Sequence, residues 1–174
     1  MIAHSRTLGE ALSDIRLLTC RLCEMPDGNV RPGNQSGVAV PPPEAGVWAS
    51  LLPVSVHTQG TPSQTREDLD AARVATTEAA ILAVACHLQF FRTGATDRAQ
   101  IFAQLLQTSY GAQMLRSIAI GLVDIGTLDV SSAVFSGLWE ERALVKVTFS
   151  MVLSLASNSL GINPALSPFQ RSLS

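Results

Sequence analysis

LWEERALVKVTFSMVLSL, residues 138–155, decides how this chain folds, because its apolar and polar residues separate almost cleanly at period two. Trp139, Glu141, Ala143, Val145, Val147, Phe149, Met151, Leu153 and Leu155 fall on one face. Glu140, Arg142, Lys146, Thr148, Ser150 and Ser154 fall on the other, among only a few apolar residues. Such alternation predicts a long strand with a core face and a wet face. A strand of this length rises roughly 55 to 60 Å, so it is expected to bend or to overhang the body, and overhanging strands usually meet another chain.

Working outward, Val74–Phe91 reads as a second long strand, with Ala80, Leu82, Val84, Cys86, Leu88 and Phe90 on one face, although its alanine content also allows a helix. Val47–Thr58 reads as a third, in which Pro53 removes a ladder donor and points to an edge or a bulge. The polar stretch Gln59–Arg73, with Gly60 and Pro62, reads as a long hairpin connection. Leu128–Phe135 is a short strand leading through Gly137 into the last one, with a break at Asp124-Ile125-Gly126. Helical spacing appears in Ser5–Cys23, where Leu8, Leu12, Ile15, Leu18 and Leu22 make one stripe. It recurs in Arg98–Ser109, with Thr96-Asp97 as the expected N-cap, and in a shorter stretch from Gly111 to Ile120. Residues 29–46, containing Arg31-Pro32-Gly33-Asn34-Gln35 and Pro41-Pro42-Pro43, read as an extended loop, and residues 158–174 as an irregular C-terminal arm. The order of elements predicts one α+β domain over residues 1–174, a mainly antiparallel sheet with helices packed on one face.

The chain has 174 residues, 47% of them hydrophobic and only 15% charged, against a usual charged share of about 25%. That is thin charge cover for a solitary domain, and it fits a surface partly covered by partners. The formal net charge is −2 and the basic residues form no run, which argues against a nucleic-acid-binding stripe. No apolar stretch is long enough to span a bilayer and no signal peptide is evident, so synthesis and use in the cytosol, without a membrane, are expected.

The chemistry-bearing residues are sparse. Cys20-Arg21-Leu22-Cys23 has redox or zinc spacing, but no second pair accompanies it, and it lies near a helix C-terminus, where the dipole disfavours thiolate. Two structural thiols are the expected reading. His4, His57 and His87 are far apart, and although His87 adjoins Cys86, no ligand set emerges. No nucleophile elbow, phosphate loop or dinucleotide fingerprint occurs. The expectation is a non-enzyme with no cofactor and no metal. Glu140 and Arg142 should share the wet face. Glu141 should point with Trp139 to the apolar face, where it must be paired, lie at a strand end or meet a subunit boundary, unless the core begins only at Ala143 and leaves it in solvent.

The succession Val30-Arg31-Pro32-Gly33-Asn34-Gln35, the strand from Val47, Gly60-Thr61-Pro62, Leu88-Gln89-Phe90-Phe91, the Ala99–Leu106 helix and Trp139-Glu140-Glu141-Arg142-Ala143 resembles the phage neck or tail terminator proteins over roughly residues 8–165. The triple proline and the segment Thr65–Thr77 depart from that pattern. The resemblance implies a virion component, made in the bacterial host, that forms a homo-oligomeric ring, a hexamer by expectation. Its partners would be the tail tube protein and the head connector, with DNA only as passing cargo. Arg31, Asn34, Gln35, Trp139, Glu141 and Arg142 are then the candidate assembly residues, since Trp and Arg are the usual interface anchors. A head-completion or minor tail protein of the same fold is the nearest alternative. A thiol or metal enzyme using Cys20, Cys23 and His87 is the alternative from another class.

Overall fold

The computed structural model describes residues 2–4, 6–33, 46–70, 73–135 and 137–160. Its axis is the strand quoted above, β6 (Leu138–Leu160). One edge of β6 pairs antiparallel with β4 (Arg73–Phe91) from Arg142 to Leu160. The other edge pairs with β5 (Ile120–Phe135) as far as Met151 and then with β1 (Ile2–His4) at residues 155–157. Beyond β4 comes β3 (Trp48–Asp70), antiparallel, and β2 (Val30–Pro32) runs parallel to its first residues. The result is a six-stranded, mostly antiparallel sheet carrying three helices, an α+β fold.

The helices are α1 (Leu8–Leu22), α2 (Ala95–Leu106) and α3 (Ser109–Ser117). Their apolar stripes, with Ile15, Leu18, Phe102, Leu106 and Leu115, join Leu51, Val84, Leu88, Phe90, Val145, Val147 and Phe149 in one buried cluster. Those strand residues all belong to one face of the alternation, so the helices lie on that face alone. Helix α1 starts at Thr7, whose hydroxyl accepts from the Glu10 N–H while the Glu10 carboxylate accepts from the Thr7 N–H. This capping box satisfies two helix-end donors from residues three apart in the chain.

Several expectations need correction. Residues 59–70 are not a loop: they continue β3, rung by rung against Val74–Ala79 and Ile81 of β4. Residues 59–65 are exposed, with no buried face to alternate with, and shifts in register between Gln59 and Ser63 absorb Gly60, at φ +72°, and Pro62. Asp124-Ile125-Gly126 interrupts only the ladder of β5, as register shifts on either side of it, and the strand begins at Ile120. The loop expected over 29–46 opens as β2, while residues 34–45 lie outside those described. The arm expected from Asn158 begins as the end of β6, and residues 161–174 lie outside those described. The short β1 carried no periodicity long enough to read.

Helix α2 starts at Ala95 after Gly94, not after Thr96-Asp97. The chain turns out of β4 through Arg92 and Gly94, both left-handed, at φ +78° and +89°. That corner costs backbone strain at Arg92, and the contacts holding it come from β6, far away in the sequence.

Candidate assembly surface

Glu141 supplies those contacts. Its backbone carbonyl accepts from the Arg92 N–H at 2.9 Å, and its carboxylate accepts from the N–H groups of Gly94 and Thr96, both at 2.9 Å. Two otherwise unsatisfied donors of the α2 N-terminus are thus capped by a charge on another element, where the helix dipole also favours an anion. Hydrogen bonds with Thr96 and Gly94 hold the Glu141 carboxyl below its ordinary range. The carboxylate is therefore paired within its own chain, at the end of the buried run.

On the opposite face, Trp48, Phe91 and Arg142 form one cross-strand row over β3, β4 and β6. The Trp48 and Phe91 rings stack with centroids 4.1 Å apart and planes 10° from parallel. The Arg142 guanidinium lies 5.5 Å from the Phe91 centroid and binds Glu140 through two contacts of 2.9 and 3.1 Å. The shared face expected for Glu140 and Arg142 is thus observed, and a flat stack of π-systems and charge lies where no helix covers the sheet. Arg31, on β2, pairs in register with Ser50 and so extends the same face. Arg31 Nε and Trp48 Nε1 are shielded from solvent and have no hydrogen-bond partner among the described residues. Asn34 and Gln35 lie outside the described residues.

Trp139 is 78% exposed. It pairs across the β5–β6 ladder with Val134, 59% exposed, and Val130, 57% exposed, lies on the same face of β5. The helices end before reaching these three residues, so their apolar side chains stand in solvent although they continue the core alternation. Val130 and Val134 went unread as surface residues; the signal that could have found them is their spacing of four on the strand that must pair with Trp139.

Cys20, Cys23 and Cys86 are free and buried. Burial raises the Cys20 thiol and pushes those of Cys23 and Cys86 up to about 12, which leaves them protonated and unreactive at neutral pH. Among the described residues no group of three or more His, Cys, Asp or Glu side chains could hold a metal ion, and His87 is not brought to a ligand set. No helix among the described residues is long and apolar enough to cross a membrane.

The fold is an α+β sheet covered by helices on one face, with a stacked aromatic and guanidinium row on the other and apolar side chains exposed at one end, the kind of surface that contacts other proteins. The chain belongs to the phage neck terminator proteins, whose family pattern matches residues 6–163. Membership makes it a part of the virion neck, associated with other head or tail proteins. No curated protein matches the chain at a significant level.

Proposed function

We propose that this chain assembles as a closed hexameric ring that caps the tail tube, ends its polymerisation and joins it to the head connector. Its role is structural and uses no catalytic residue. A cyclic ring repeats one heterologous contact until it closes, so each subunit needs two different patches. One is the end of the sheet, where Trp139 and Val134 form an exposed apolar pair on one face and Arg142 lies on the other, and this is the observation that carries the reading. The other patch is a strand edge. The outer edge of β3 beyond Leu51 pairs with no strand among the described residues, and such an edge can accept a neighbour. A net charge of −2 with no basic run suits a ring through which DNA passes without adhering.

The test is a pair of variants, Trp139→Asp and Arg142→Glu. Both should leave a folded subunit with unchanged circular dichroism, and both should abolish rings seen by light scattering and electron microscopy. Arg142→Glu also puts a like charge beside Glu140, so it should be the less stable of the two. Normal rings in either variant would remove this end of the sheet from the interface.

A further inference from the structure

On the helix-covered face, the sheet runs past α1 and leaves an apolar groove of about 500 Å³ where the arm formed by β1, β6, β4 and β3 meets the body. Its walls include Leu8 at the start of α1, Pro62 of β3, Ala80 and Leu82 of β4, and Leu153 of β6. Ala80 and Leu153 are cross-strand partners and continue the alternation that buries Val84 and Met151. The groove is thus a length of core face without its helix, and it lies in the size range of clefts that hold ligands.

We infer that the segment 161–174 of a second copy of this chain fills the groove, anchored by Leu166 and Phe169. The inference rests on the ring reading. The segment alternates apolar residues with proline, Ile162-Asn163-Pro164-Ala165-Leu166-Ser167-Pro168-Phe169, and has no acidic residue. Arg171, two positions past Phe169, is opposite in sign to Glu78, which lines the groove together with Arg6, whose own charge is paired with Asp14 at 2.6 Å. The family pattern ends at residue 163, so these anchors belong to this chain and not to the family pattern.

Direction and reach favour a neighbour over the chain's own groove. Leu153 pairs with Ala80 at the groove and Leu160 with Arg73 at the tip, so β6 leaves its own groove roughly 23 Å behind. Residues 161–174, extended, reach up to about 46 Å further on. The sequence at Asn163-Pro164 and Ser167-Pro168 disfavours helical backbone before each proline, which opposes a compact return along the arm.

Site-directed disulfides in the full-length protein test this. Two chains, one carrying Ala80→Cys and the other Phe169→Cys, are mixed and oxidised with diamide. A disulfide forms only with Cα atoms within about 7 Å, and the three native thiols are buried and do not compete. We expect a mixed interchain dimer, roughly tenfold or more above a control pairing Phe169→Cys with Gln59→Cys, as fits a held rather than colliding partner. Adding Leu166→Asp to the Phe169→Cys chain should reduce the product to the control level. No product above control would overturn the inference. So would a double variant, Ala80→Cys with Phe169→Cys, that closes only within one chain at every concentration, because the segment would then fill its own groove. The link is read with neither tube nor head present, so it can fail while the terminator reading stands.

Discussion

The middle and the ends of β6 follow the same alternation and meet opposite fates. Between Ala143 and Met151 every odd-numbered residue is buried, with Ala143, Val145 and Phe149 wholly so. On the same face at one end Trp139 is 78% exposed, and at the other Leu153 lines an open groove. The difference lies in the helices, not in the strand: α1, α2 and α3 cover only the middle. Where the cover stops, the same apolar pattern that makes a core becomes a surface for other chains.

That contrast can be broken most forcefully in the middle. Phe149→Ala should cost about 3–5 kcal/mol of stability, read by chemical denaturation, because it removes a fully buried ring and leaves a cavity. Val152→Ala, three residues on and half-exposed, should change stability by no more than about 0.5 kcal/mol. Equal losses at the two positions would mean that the face of β6 turned away from the helices is packed as tightly as the one they cover.

A smaller effect is expected at the boundary. Glu141→Ala should cost about 1 kcal/mol, the usual loss for a helix cap. Because the folded carboxyl titrates below its ordinary range, its contribution is complete above the unfolded-state pKa of about 4.3 and is lost as pH falls through the lower folded value. Stability of the parent chain should therefore decline in acid more steeply than that of Glu141→Gln, as denaturation midpoints between neutral and acid pH would show. Parallel curves would separate the cap from the carboxylate charge. Smaller still is the stack on the open face. Phe91→Leu should cost about 0.5–1.5 kcal/mol beyond its change in buried area, by losing Trp48 and the Arg142 guanidinium together.

What the sequence made legible follows the same division. The faces of β4 and β6, the stripe of α1 and the α+β class could be read because a buried surface imposes a period on the residues that line it. The arm from Gln59 to Asp70 could not: Gln59–Thr65 are exposed on both faces of the strand and have no reason to alternate, and only the pairing with β4 reveals the arm. The start of α2 was misplaced for a related reason. Thr96-Asp97 is a good local cap, yet Glu141 holds the helix end from 45 and 47 positions away in the chain. Of the candidate assembly residues, Arg142 and Trp139 lie where helices leave the sheet bare, and Arg31 joins the face of the Trp48 row through a strand too short to announce itself. Glu141 turned out to organise the corner beneath them.

The most direct test of the central claim, a ring that ends the tail tube and joins it to the head, is electron microscopy of lysates from a phage carrying a stop codon at Trp48, beside the same phage suppressed. Overlong or ragged tails, lying apart from DNA-filled heads, are the predicted result. Tails of normal length beside unjoined or leaking heads would contradict it, as would infectious particles of normal appearance.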